Sequence, residues 1–158
     1  MADFGDAHED LHGSGYWYLP DGLQFDTDRD TLEALIAILR RLRRPTERAT
    51  TMPSDFLWIV DGEELVGFIR VTYELNEHLS EQGGHIGYSV RPSRRREGHA
   101  GRALALALER CREQGLERAL VTCDPGNAGS EATIRANGGV FERLSAGGEV
   151  KRFWIELA

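Results

Sequence analysis

Residues Arg94–Leu104 read "RRREGHAGRAL". Three readings compete for this stretch: a basic patch for nucleic acid, a solvated charge run on a surface loop, and a cradle for phosphate. Its flanks decide between them. Upstream, "HIGYSV" (85–90) has the length and composition of a strand, closed by Arg91-Pro92. Downstream, Ala103, Leu104, Ala107, Leu108 and Cys111 recur at helical spacing, which predicts a helix from Gly98 to about Gln114, with Gly115 as its stop. At a strand–loop–helix junction, the first N–H groups of the helix have no internal partner. The helix dipole adds partial positive charge at the same place, and the two together suit an anion. Gly98 permits close backbone approach, while Ala100 and Gly101 keep side chains out of the way. Arg94, Arg95, Arg96 and Arg102 add charge that phosphate oxygens can pair with. The junction reads as a pyrophosphate cradle.

Outward from the junction, the chain divides into short elements. Residues 1–15 are polar and read as a flexible arm, and 16–158 as a single domain. Asp30 or Thr31 can cap a helix running to about Arg44, ahead of Pro45. "DFLWIV" and "ELVGFIRVTYEL" are strand-like runs joined by the hairpin signal Asp61-Gly62. A polar loop is expected over 76–84. After the central helix come a strand in "LERALVTCD", a short helix from Asn127 to Ala136, and a closing hairpin of "VFERL" and "VKRFWIEL" around "SAGGE". The order predicts an α/β chain of the α+β kind, with a mostly antiparallel sheet and helices on its faces. Within it, 85–124 form a parallel, right-handed strand–helix–strand unit.

Composition narrows the function. The 158 residues carry a formal net charge of -7, which argues against a nucleic-acid partner. No aromatic residues interleave with the arginines either. No apolar run is long enough to cross a membrane, and the acidic N-terminus "MADFGDAHED" has no apolar core of the kind a signal peptide needs. Cys111 and Cys123 lack C-x-x-C spacing and read as reduced thiols of a cytoplasmic protein.

The stretch from Gly83 to Glu142 resembles the GNAT (Gcn5-related N-acetyltransferase) superfamily. It carries a "V-x-P-x-x-R-x-x-G-x-A" loop, a long helix, and a strand ending in "CDPGN". It looks most like a subgroup with "LNEHL…GGHIGYSVRP" and a C-terminal "RFWIEL", which extends the resemblance to about Phe56–Leu157. The resemblance implies a splayed central sheet and acetyl-coenzyme A as cosubstrate. In such proteins the loop amides hold the pyrophosphate, a role that falls here on Arg95, Arg96, Glu97, Gly98, His99, Ala100 and Gly101. The preceding strand, usually bulged, pairs through its backbone with the pantetheine arm, here at Tyr88, Ser89 and Val90. Asn127 matches a side chain that contacts the same arm, although Asn is also a good helix cap. Ser130 lies near it. Many relatives dimerise, and the C-terminal hairpin is a candidate surface.

Acetyl transfer to a primary amine, on a small molecule or a peptide, needs a neutral amine, a stabilised oxyanion and a protonated leaving thiol. It needs no acyl-enzyme. The candidate bases are His85, at the start of its strand, and Glu74 and Glu77, at the end of the preceding one; each also has a plain structural reading. Glu74, Glu77 and Glu81 would favour a cationic acceptor. The backbone N–H of Val90 or Ser89 is the candidate oxyanion donor. One position departs from the family: the tyrosine that many members place after the Asn corresponds to Ile134, which leaves the general acid open, with Tyr73 and Tyr88 as substitutes. That departure favours a rival reading, a catalytically inactive coenzyme-A-binding sensor or scaffold; the intact loop and Asn127 favour an enzyme. "HEDLH" (8–12) matches the zinc-protease pattern H-E-x-x-H, but Gly-Ser-Gly follows at once and no helix can hold it, so no metal is expected. Cys123 has no activating neighbour in sequence and reads as a structural thiol.

Overall fold

The computed structural model describes residues 12–14, 33, 36–38, 40 and 52–157. The elements are β1 (Ser54–Asp61), β2 (Glu64–Thr72), β3 (Ile86–Val90), α1 (His99–Glu113), β4 (Arg118–Cys123), α2 (Ala128–Ala136), β5 (Val140–Leu144) and β6 (Lys151–Glu156). Residues 33, 36–38 and 40 are helical, as expected for the segment before Pro45, whose other positions lie outside the described residues. The strands form one sheet in the order β1-β2-β3-β4-β6-β5. Every neighbouring pair is antiparallel except β3 and β4, so the expected mixed α/β architecture is present.

The apolar stripe of α1 explains its position. Leu104, Ala107, Leu108 and Cys111 are buried against Ile69, Val71, Ile86, Val121 and Phe153. The helix ends where Gly115 donates to Arg112 O (2.9 Å) and Leu116 to Cys111 O (3.1 Å), the paired bonds of a Schellman motif. Opposite the α1 side, Phe68, Thr72 and Leu120 are buried too, so the centre of the sheet is covered on both faces.

Two expectations need correcting. The polar stretch after β2 is not an irregular loop. It folds into a π-helical turn, Leu79–Gly83, started by Leu79 N–H donating to Asn76 Oδ1 (2.8 Å) and anchored by the buried Leu79 side chain. Second, β3 carries no bulge: its register with β2 runs unbroken from Gly67↔Val90 to Val71↔Ile86, and the register shifts fall in β1 between Ile59 and Val60 and in β5 between Phe141 and Arg143.

The splay is nonetheless present. β3 and β4 share one register pair, Ile86↔Val121, beside a bond from His85 N–H to Leu120 O (2.7 Å). On the other side, Arg91 N–H donates to Val66 O (2.9 Å) and Thr72 N–H to His85 O (2.7 Å). Antiparallel pairs alternate between bonded and non-bonded positions. Ser89 therefore bonds Phe68, and Gly87 bonds Arg70. The main-chain groups of Tyr88 and Val90 face the other way, into the gap where β3 and β4 part.

Candidate functional site

A cleft of about 590 Å³ occupies this gap. That is within the usual range for a small-molecule site. Tyr88, Ser89 and Val90 form its β3 wall. The loop and the start of α1 form a second wall, with Arg94, Arg95, Arg96, Gly98, His99, Ala100 and Gly101. Asn127, Gly129, Ser130 and Thr133 line it from α2, and His12 from the N-terminal segment.

The loop is built to aim amides. A short 3-10 turn, Pro92–Arg94, ends in Arg95 N–H donating to Pro92 O (3.3 Å). Arg96 (φ 67) and Gly98 (φ 82) are then both left-handed, which swings the chain into the helix. Holding a non-glycine residue there costs about 1 kcal/mol, a strain that tends to collect at functional sites. No side chain caps α1, and Arg102 N–H donating to Gly98 O (3.1 Å) closes its first turn. The N–H groups of His99, Ala100 and Gly101 thus have no partner within the helix. A Cβ added at Gly101 would meet nothing within 4 Å, so its backbone is open to a close approach.

The four arginines divide into two kinds. The Arg94 guanidinium pairs with Asp61 (2.5 Å), Glu97 (2.9 Å) and Glu64, tying the loop to the β1–β2 turn. This pairing, with His99 beside it, holds the Glu97 carboxyl below its usual pKa. Arg102 donates to Glu97 O (3.2 Å) and meets His99 Nδ1 at 3.0 Å. These two arginines brace the loop. Arg95 donates to Val90 O (2.9 Å) at the cleft edge, and Arg96 is exposed with no partner among the described residues. Glu97 points back at Arg94 and is not a cleft wall residue. Asp61, Glu97 and His99 have ligand atoms close enough to hold a metal ion, but the Arg94 cation already sits among their oxygens.

Asn127 Oδ1 accepts from Ser130 N–H (2.9 Å), so it is the α2 cap and a cleft residue at once. Tyr88 OH lies 2.9 Å from Ser130 Oγ. Burial pushes the Tyr88 phenol above its ordinary pKa, so it stays protonated at neutral pH and can donate. Tyr73 is elsewhere: its hydroxyl donates to Asp55 (2.7 Å). Ile134 is fully buried in the core, so its side chain serves packing. Gly129, Ser130 and Thr133 form the cleft face of α2, and Thr133 was readable in the sequence from its i+3 spacing to Ser130.

The three proposed bases do not line the cleft. Glu74 and Glu77 are exposed on the segment after β2. His85 is buried, and its Nδ1 accepts from Leu120 N–H (2.8 Å), locking β3 to β4. Burial lowers its pKa to about 4. An imidazole that spends its lone pair on a strand bond and resists protonation is a poor proton acceptor at neutral pH. Its consequence is for stability instead. The folded value lies below the ordinary 6.5, so protonation favours the unfolded chain. This contribution is complete above about pH 6.5 and drains away as pH falls toward 4, by on the order of 3 kcal/mol. Urea unfolding at several pH values should show that loss in the wild type, and a flatter profile in His85→Gln.

Both cysteines are buried thiols whose pKa burial pushes up to about 11, so neither supplies a thiolate nucleophile. No helix among the described residues is long and apolar enough to cross a membrane.

The model of the acetyltransferase (GNAT) family matches residues 19–138, more than half of the chain, and the protein belongs to that family. Solved structures share the fold. Mycobacterium smegmatis RimJ, in complex with CoA-disulfide, is 23% identical, with TM-score 0.61 over 87% of this chain and 67% of its own. The GNAT domain of S. lividans PAT is 18% identical, with TM-score 0.56 over 65% of this chain and 60% of its own. The yncA protein from Salmonella typhimurium, solved with its cofactor acetyl-CoA, is 13% identical, with TM-score 0.55 over 84% of this chain and 75% of its own. No curated protein matches the chain.

Proposed function

We propose that the protein is an N-acetyltransferase that takes the acetyl group from acetyl-coenzyme A and passes it directly to a primary amine, on a small molecule or a peptide. One observation carries this reading: the open edge of β3 and the uncapped start of α1 meet in the same cleft. Phosphate requires clustered donors, and the amides of His99, Ala100 and Gly101 with the exposed Arg96 side chain provide them, beside Arg95 at the cleft edge. A pantetheine arm carries amides that can pair like a strand, and the main-chain groups of Tyr88 with the N–H of Val90 face the gap to pair with them, while Val90 O is held by Arg95. The cosubstrate supplies an activated acetyl thioester. The gap-facing N–H of Val90 is the donor for developing charge on the carbonyl oxygen, whereas that of Ser89 is spent on Phe68. The protonated Tyr88 hydroxyl is the acid for the leaving sulfur. With both cysteines inert, direct attack by the amine needs no acyl-enzyme. The subgroup with "GGHIGYSVRP", a cytoplasmic location and a dimer built on the C-terminal hairpin belong to the same proposal.

The test is calorimetric titration with acetyl-coenzyme A, followed by thiol release on adding a panel of cationic and neutral primary amines. Saturable binding with amine-dependent thiol release is expected. Binding without release across the panel would favour a coenzyme-A sensor, the reading that the missing α2 tyrosine supports. No binding would overturn both.

A further inference from the structure

We infer that His12 is the general base, entering the cleft from the side where the acceptor amine arrives. The inference rests on the acetyl-transfer reading above and supplies the residue that reading lacks. His12 lines the cleft with Tyr88 and Ser89. Its backbone is set against the sheet by the next residue. Gly13 (φ +82) is seated on β3 so closely that a Cβ would fall 2.4 Å from Gly87 O and 3.0 Å from Arg70 N. Only glycine tolerates both that φ and that approach. Ser14, next along, is buried.

Side chains alternate along β3. Tyr88 reaches Ser130 on the α2 side. Gly87 and Ser89 therefore belong to the opposite face, and Gly13 holds His12 there. The gap is thus approached from one side by the α2 wall, Asn127 and Ser130, and from the other by an imidazole. An amine entering on the second side meets the thioester carbon across the gap.

The other titratable groups near the cleft are committed. His85 spends Nδ1 on Leu120 N–H. His99 has Nδ1 on Arg102 and Nε2 between Glu97 and Arg94. Tyr88 is held protonated. His12 is exposed, and imidazole is the side chain suited to exchanging protons near neutrality.

The step balances as follows. One proton of the acceptor ammonium passes to His12 and on to solvent. The freed lone pair closes the N–C bond, and the C–S bond breaks with its electrons on sulfur. Nitrogen sheds a second proton and sulfur takes one up from Tyr88, which is then reprotonated. The products are the amide, the thiol and one released proton.

The experiment compares wild type, His12→Gln, His12→Ala and Gly13→Ala with acetyl-coenzyme A and the best amine of the panel. His12→Gln should lower kcat by about 100-fold with coenzyme A affinity unchanged, and the acidic limb of the kcat/KM profile should disappear. Added imidazole should restore part of the rate to His12→Ala. Gly13→Ala, which must lift the segment off Gly87, should lose rate with the imidazole intact. A wild-type rate in His12→Gln would overturn the inference and leave acetyl transfer standing. So would a loss of rate that imidazole does not rescue and that leaves the pH profile unchanged. A wild-type chain that binds coenzyme A but acetylates no amine would overturn the acetyl-transfer reading itself, and the inference with it.

Discussion

Gly98→Val should cut the affinity for coenzyme A at least about tenfold while leaving the sheet folded. Gly98 sits at φ 82 as the residue before α1. A β-branched side chain there costs about 1–2 kcal/mol in backbone strain alone. The added Cβ would also lie 3.0 Å from Arg102 Nη1, the atom that donates to Glu97 O. The guanidinium can swing away, but then Glu97 O and His99 Nδ1 lose the brace that fixes the first turn. The backbone strain is relieved only by rotating that turn, which misdirects the amides of His99, Ala100 and Gly101. Calorimetry against coenzyme A measures the effect directly. Wild-type affinity in the variant would mean that these amides are not the phosphate ligands. Gly98→Ala should fall between the two, because alanine accepts left-handed φ at lower cost than valine.

Gly67→Ala should destabilise the fold by about 3 kcal/mol, the upper end of overpacking costs. A Cβ on Gly67 would lie 2.2 Å from Ser89 O and 3.1 Å from Val90 Cα, all backbone of β3. Backbone in a paired strand cannot rotate aside, so β3 must move bodily. The part of β3 that moves is the part that presents the Val90 amide to the gap. A shift of about 1 Å in a positioned catalytic group can cost about 100-fold in rate, so turnover should fall with stability. The denaturation midpoint and kcat report the two effects separately. An unchanged midpoint would show that the path of β3 does not depend on Gly67.

Gly67 also marks the limit of what the sequence discloses. In "ELVGFIR" it reads as one more strand residue, because the strand that crowds it lies 22 residues downstream of it, at Ser89. The local features were legible. The Asp61-Gly62 hairpin, the apolar stripe of α1, the stop at Gly115 and the Asn127 cap follow from spacing and turn chemistry within a few residues. The strand–loop–helix junction was legible for the same reason, since the dipole and the free amides of a helix start are local properties. What stayed hidden depends on pairing across distance. The phase of the β2–β3 ladder decides that Val90 rather than Ser89 faces the gap, and no stretch of β3 alone contains that phase. His85 looked like a base because its position along the strand was right; the bond from Leu120 N–H that occupies it comes from another strand. Ile134 looked like a missing acid because the helix was read without its rotation about the core. "HEDLH" was judged by its motif, and of its five residues His12 is the one described, placed by Gly13 rather than by any metal pattern.

The ion-pair hub at Arg94 bears on how a ligand would arrive. Asp61, Glu64 and Glu97 neutralise the Arg94 cation, and the chain as a whole is acidic. Little positive field then extends into solvent to draw in an anion from a distance. The donors of the helix start, its amide dipoles and the exposed Arg96 side chain, act at contact. Capture by this cleft should therefore be an ordinary diffusive encounter, only weakly sensitive to ionic strength, with selectivity expressed in residence time, so that good ligands are distinguished by leaving slowly rather than by arriving fast.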